Sequence, residues 1–228
     1  YKEAIRLIKI LAKTLDASNK DQFYYDMSIA VNTPDSFVNT NAFPLYTEKI
    51  KTKRRKINSI HKPIIIGFGP AGMFAALELI EYGLKPIIFE RGKKIEERSV
   101  DIQKFIKERI LNPESNIQFG EGGAGSYSDG KLFSRTNNTE YVNRVLDTYI
   151  RFGAPEKIAY LGKPHLGTDV LCRIVRNIRD YILAQGGEIY YGSKMTDILI
   201  SDGQAMGILI NGEKEYRAAG IYLAVGHS

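Results

Sequence analysis

The residues with the clearest chemical purpose are Gly67, Gly69, Gly72 and Glu90. Gly67-Phe68-Gly69-Pro70-Ala71-Gly72 is a GxGxxG run, set between the apolar stretch Ile64-Ile65-Ile66 and a helix-forming stretch from Met73 to Tyr82. In that setting the first glycine allows a tight turn from strand to helix, the second lets the backbone approach a pyrophosphate, and the third brings helix against strand. The helix N-terminus adds free N–H groups and a partial positive charge. Glu90 stands 18 residues beyond Gly72, at the end of a second apolar run, Pro86-Ile87-Ile88-Phe89. A carboxylate there accepts hydrogen bonds from ribose hydroxyls, each charge-assisted bond contributing about 1.5–3 kcal/mol. It also repels the 2′-phosphate of NADP. The implied chemistry is the holding of an adenine dinucleotide, with Pro70, Ala71 and Arg91 completing the candidate set. An incidental glutamate after a glycine turn is the plain alternative, and it does not account for all positions together.

The elements that must position these residues read as a βαβ unit over 63–90. Residues 94–118 read as mostly helical and charged, with Ile102, Phe105 and Ile106 as buried positions. A second glycine-dense stretch follows at 119–131. Val142, Val145, Leu146, Tyr149 and Ile150 predict an amphipathic helix over 139–152. A further helix spans 168–185, with Thr168 or Asp169 as N-cap and Gly186-Gly187 as its stop. Short strands are expected at 188–191, 195–201, 204–210, 214–217 and 221–225, with Asp202-Gly203 and Asn211-Gly212 as hairpin turns. Ahead of this domain, Ile5, Ile8, Leu11 and Leu15 have helical spacing. Residues 23–31 alternate as a half-buried strand, and 32–48 read as loop. The expected fold class is α/β: a Rossmann-like domain at 63–228, after a small α/β unit at 1–48 and a basic linker at 49–62.

An NAD-binding domain would continue βαβαβ with little interruption. Here a helical excursion, a second glycine loop and a series of hairpins intervene before Ile221-Tyr222-Leu223-Ala224-Val225-Gly226. That order matches FAD-binding domains of the glutathione-reductase kind, with a parallel sheet and a small antiparallel meander.

The stretches Pro63–Leu77, Phe119–Leu132 (Phe-Gly-Glu-Gly-Gly-Ala-Gly-Ser-Tyr-Ser-Asp-Gly-Lys-Leu), His165-Leu166-Gly167-Thr168-Asp169 and Ala224-Val225-Gly226-His227-Ser228 resemble a family of bacterial FAD-dependent dehydrogenases, the NAD(P)/FAD-dependent oxidoreductases. The first motif is shared by many flavoproteins and the second is much more specific. Thr14-Leu15-Asp16-Ala17-Ser18 resembles a Ser-(Ile/Leu)-Asp-Ala-Arg element of the family, with Ser18 where arginine would stand. The resemblance implies FAD as cofactor, with NAD(P)H as a candidate electron donor. It implies cofactor contacts from Gly122, Gly123, Ala124, Gly125 and Gly226, and from the Met195 backbone near the adenine. It also implies a longer protein with a substrate domain after Ser228. Two other classes stay open: a dinucleotide-binding module without catalysis, and a tRNA-directed flavoenzyme with 49–62 as its RNA contact.

Other side chains give less. Lys131 could offset negative charge near a reduced flavin, and a solvated lysine fits equally. His165 reads as a packed loop histidine, with proton donor as the sharper alternative. His227 follows Gly226 and should lie near the cofactor. No catalytic residue is identified. No Gly-x-Ser-x-Gly elbow occurs, and no His, Asp and Glu have metal-ligand spacing.

The chain has 228 residues, 43% hydrophobic and 25% charged, which excludes global disorder. No apolar run approaches the ~20 residues that cross a bilayer. The net charge of +6 invites a nucleic-acid reading. Seven Lys and Arg, and no Asp or Glu, lie between Lys49 and Lys62, so the remainder sums to −1. The segment reads as a solvated linker or edge, since no aromatic platform is interleaved with it. The single cysteine, Cys172, excludes an internal disulfide and fits a reducing, cytoplasmic setting.

Overall fold

Ile64-Ile65-Ile66 forms β3 (Ile64–Ile66), and all three side chains are buried. Alternation in this short strand sends Ile64 and Ile66 to one face and Ile65 to the other. A strand apolar on both faces must be covered on both, and the chain supplies two different covers. The computed structural model describes residues 5–48, 54–132, 136 and 139–226. Its contacts divide the chain into two units, Tyr1–Thr52 with Lys131–Leu166 and Lys53–Gly130 with Gly167–Ser228.

The second unit is built on a parallel sheet. β4 (Ile87–Phe89) pairs with β3 on one side and β9 (Ile221–Leu223) pairs with it on the other. β5 (Glu188–Tyr190) extends the sheet beyond β4, giving the order β5-β4-β3-β9. On the Ile65 side, α1 (Pro70–Glu81) packs on β3, and α4 (Thr168–Ala184) packs on α1 and β5. α2 (Ile95–Glu108) packs on α4. On the other side, Ile64, Ile66 and Phe89 form one apolar cluster with Ile208 and Ile210. Those two belong to a three-stranded antiparallel meander, β6 (Met195–Ser201), β7 (Gln204–Ile210) and β8 (Lys214–Arg217). Asp202-Gly203 and Asn211-Gly212 turn its corners, with positive φ at all four residues. The fold is therefore mixed α/β, a parallel sheet with an antiparallel meander on one face.

Two expectations for this unit need correction. The helix expected over 94–118 stops at Glu108, and Arg109 takes a left-handed conformation. Asn112 then accepts from the N–H groups of Glu114 and Ser115, and Asn116 from those of Gln118 and Phe119. These asparagine turns compete with the helix and end it. The N-cap of α4 is Gly167, so Thr168 is already helical and Asp169 lies in the first turn.

The first unit departs further. Residues expected as a helix form β1 (Arg6–Asp16), paired antiparallel with β2 (Tyr24–Asn32). Register shifts at Leu7/Lys9 and Ile10/Ala12 insert extra residues into β1. Bulges of this kind break the two-residue period and mimic helical spacing. β2 is where the alternation places it but is not half-buried: Met27 and Ile29 are 47% and 49% exposed, and only Ala30 is buried. The front of the chain is thus a strand pair. This unit also holds α3 (Thr139–Arg151), from the expected amphipathic stretch. The Lys13 backbone bonds to Tyr160 and Gly162 in the same unit.

Candidate functional site

A cavity of about 490 Å³ opens at the carboxyl ends of β3, β4 and β9. The chain leaves β3 toward β4 on one side, while β9 lies on the other side of β3. Such a divergence leaves a crevice beyond the strand ends, where open α/β sheets take their ligands. Ile66 and Gly67 line it from β3, Glu90 and Arg91 from beyond β4, and Leu223 to Gly226 from β9 and its exit. β9 is shorter than expected, and Ala224, Val225 and Gly226 form a loop that lines the cavity, with Ala224 N–H still donating to the Ile66 carbonyl at 2.8 Å.

The two glycine loops form one structure. Gly122 N–H donates to the Phe68 carbonyl at 2.9 Å. A Cβ on Gly123 would lie 3.2 Å from both Gly69 Cα and Pro70 Cδ. The second loop therefore rests on the first, and Gly69, Pro70, Ala71, Gly123 and Ala124 share the cavity wall.

Glu90 joins the loops to the sheet. Its side chain is buried, with Oε2 accepting from Phe68 N–H at 2.7 Å and Oε1 from Gly92 N–H at 2.8 Å. A carboxylate offers about four lone-pair sites, so two remain for other donors. Arg91 turns outward, pairs with Glu114 and lies 3.9 Å from the Phe119 ring centroid. Lys194, also in the wall, reaches Glu114 at 3.3 Å. One carboxylate thus holds two cations at the cavity mouth.

Among the residues singled out from sequence, the cavity brings together Gly67, Gly69, Pro70, Ala71, Glu90, Arg91, Gly123, Ala124, Met195 and Gly226. Gly72, Gly122 and Gly125 are not in its wall. Gly72 packs against Gly67, and Gly122 faces Ser126 and Val175. Lys131 belongs to the first unit, where it bridges to His165. His165 is exposed rather than packed. His227 lies outside the described residues. Phe119 and Gly120 come from the glycine-dense 119–131 stretch picked out from sequence, whereas Gln118, Ser193 and Lys194 were missed: Gln118 adjoins that stretch, and Ser193 and Lys194 carried no signal.

The loop is also anchored through Glu121, a fully buried side chain. It accepts from Ile95 N–H at 2.8 Å, Tyr191 hydroxyl at 2.7 Å and Arg179 Nη1 at 2.8 Å. Burial pushes its carboxyl pKa up, against the pull of these donors. Arg179 also pairs with Glu96, and that bond holds the Glu96 carboxyl down at about 2, from an ordinary 4.5. A carboxyl depressed in the folded state releases its proton more readily there than when unfolded. Its stabilising share is complete above about pH 4.5 and disappears as pH falls through about 2. Glu96 is half exposed, so the share is below about 1 kcal/mol. Thermal midpoints between pH 6 and 2 should fall less steeply for Glu96→Gln than for wild type. Parallel curves would remove this pair from the acid response.

The basic segment is partly used up. Lys49, Lys51 and Lys53 lie outside the described residues. Arg54 pairs with Glu78 at 3.1 Å, Lys56 Nζ donates to the Glu81 carbonyl at 3.3 Å, and Lys62 pairs with Glu188. Ile57 N–H bonds to the Tyr82 carbonyl at 2.8 Å. Arg54, Lys56 and Lys62 are thus fastened along their own unit. Among the described residues no helix is long and apolar enough to cross a membrane, and no group of three His, Cys, Asp or Glu side chains is placed to hold a metal ion.

No family model matches the chain. A protein of Clostridium beijerinckii, described as uncharacterized, is 40% identical over 240 residues, a match covering 100% of this chain and 44% of that protein. The chain thus spans less than half the length of that relative. Among solved structures, the complex of OTEMO with FAD and NADP is 13% identical, covering 75% of this chain and 26% of that one at a TM-score of 0.45. The 3-ketosteroid-Δ4-(5α)-dehydrogenase of Rhodococcus jostii RHA1 is 13% identical over 75% of this chain and 48% of its own, at a TM-score of 0.46. THI4 of Thermovibrio ammonificans is 17% identical over 72% and 55%, at a TM-score of 0.43.

Proposed function

We propose that the cavity at the carboxyl ends of β3, β4 and β9 holds FAD, and that the chain is the FAD-binding portion of a flavin-dependent oxidoreductase, a dehydrogenase with NAD(P)H as a candidate donor. The observation that carries this reading is the junction of two glycine loops over a buried glutamate at the switch point of a Rossmann-like sheet. The lining fits the cofactor. Backbone at Gly67 and Gly69 and the start of α1 suit a pyrophosphate. The spare lone pairs of Glu90 suit the adenosine ribose, and Arg91, Lys194 and the Met195 backbone suit the adenine end. Gly123 and Ala124, with the neighbouring Gly122 and Gly125, suit the flavin side.

Bound FAD would supply acceptance of a hydride and onward transfer of electrons. The chain's own residues bind and orient it. Glu90 fixes the ribose while holding the glycine turn, and Leu223, Ala224 and Val225 offer apolar contact along the cavity wall. The 63–228 stretch is the proposed cofactor domain, after 1–48 and the 49–62 linker. A reduced Cys172 agrees with a cytoplasmic setting.

Purified chain should be yellow, or become so with FAD, and the colour should bleach with NADH or NADPH in the full-length protein. Colourless protein whose melting temperature ignores added FAD would overturn the reading. Glu90→Ala should weaken FAD binding by roughly 10- to 100-fold, the loss of one or two charge-assisted bonds. Equal flavin occupancy in the variant would take Glu90 out of the site.

A further inference from the structure

Arg98 lies in the first half of α2, and its side chain is wholly buried. Buried guanidinium groups normally meet a carboxylate. The acceptors around Arg98 are instead main-chain carbonyls. Nε donates to Asn116 at 2.8 Å and Nη2 to Ile117 at 2.8 Å. Nη1 is shared by Glu121 at 2.7 Å, Gly123 at 2.9 Å and Gly120 at 3.3 Å. These five carbonyls belong to the loop that brings Phe119, Gly120 and Gly123 to the cavity wall. Gly120 shows the same fit from the loop side: a Cβ there would lie 2.5 Å from Arg98 Cδ and 2.8 Å from Nε. The Tyr127 ring closes over the guanidinium at 4.9 Å, and its hydroxyl is fixed by Ser99 at 2.5 Å.

We propose that Arg98 is the positioning residue of the second glycine loop, a planar template on which residues 116–123 take the shape that completes the dinucleotide cavity. The inference rests on the FAD reading above and deepens it. A guanidinium carries five N–H donors in a rigid fork, whereas a lysine ammonium is a point charge with three. Carbonyls spread from Asn116 to Gly123 need the fork. Affinity for FAD therefore depends on guanidinium geometry, not on positive charge alone. The side chain itself touches no ligand. Its effect passes through Gly120 and Gly123.

The test uses the 228-residue chain with FAD titrated by flavin absorbance and fluorescence, in wild type, Arg98→Lys and Arg98→Ala. Both variants should bind FAD roughly 10- to 100-fold more weakly, in line with lost charge-assisted hydrogen bonds. Ethylguanidinium at millimolar concentration should restore binding and the wild-type flavin spectrum to Arg98→Ala, while ethylammonium at equal ionic strength should not. Should Arg98→Ala fail to fold, Arg98→Lys carries the test. Folded Arg98→Lys with wild-type affinity and spectrum overturns the inference while leaving FAD binding intact. Equal rescue by both cations overturns it too. A wild-type chain that takes up no FAD overturns the functional reading itself, and is measured before any variant.

Discussion

Gly72→Ala should destabilise the second unit by about 4 kcal/mol or more and abolish the proposed dinucleotide binding, an effect at the far end of what one methyl group does. The cause is a backbone contact that no rotamer can relieve. A Cβ at Gly72 would lie 2.0 Å from the Gly67 carbonyl oxygen, 3.1 Å from its carbon and 3.4 Å from Ile65 Cγ2. To admit it, α1 must lift from β3, which opens the layer that buries Ile65, Ala76 and Ile80. Lifting α1 also withdraws its N-terminus from the cavity wall. Gly67→Ala meets a different obstacle. Its φ of +96° disfavours any side chain, and its Cβ would lie 2.5 Å from the Ala224 carbonyl oxygen. The first substitution separates helix from sheet, and the second separates β3 from the exit of β9. Thermal melts should show Gly72→Ala lower by roughly 8–16 °C, taking about 2–4 °C per kcal/mol for a chain of this size. A midpoint within two or three degrees of wild type, with FAD uptake retained, would show that α1 does not sit as described.

This part of the molecule was legible in sequence because its signals are local. A GxGxxG turn, its flanking strands and the acid that follows span 27 positions, from Ile64 to Glu90, and each step has a short-range physical reason. The same holds for the hairpins at Asp202-Gly203 and Asn211-Gly212, where turn chemistry alone sets the geometry. Legibility ended where distant partners decide. Ile5, Ile8, Leu11 and Leu15 carry helical spacing, yet pairing with β2 and two bulges make that segment a strand. Arg98 and Glu121 are less legible still. In sequence Arg98 is one charge within a stretch read as helical and charged, and Glu121 one position of a glycine-dense stretch, with nothing to single out either. Both are buried because α2 and the loop meet. Only the folded chain brings those carbonyls to Arg98, and brings Tyr191 and Arg179 to Glu121.

Glu121→Leu should cost about 3–5 kcal/mol, because it removes one member of a buried ionic set and strands the others. Ile95 N–H, near the start of α2, would lose its acceptor. The Tyr191 hydroxyl would be left without one in a site that burial has already made hostile to its ionisation. Arg179 would keep Glu96, which is half exposed, but lose its inner partner at 2.8 Å. Leucine fills the volume of glutamate without supplying an acceptor to any of the three donors. Glu121→Gln retains one carbonyl acceptor and should cost less than half as much, even though it also removes the charge. Urea unfolding of the two variants separates the explanations. If stranded donors dominate, Gln lies close to wild type and Leu far below it. If loss of the Arg179 ion pair dominates, the two variants coincide, and the loop is held by charge rather than by its count of satisfied hydrogen bonds. The geometry favours the first outcome. Two of the three donors are uncharged, and Arg179 has a second carboxylate at 2.9 Å to fall back on.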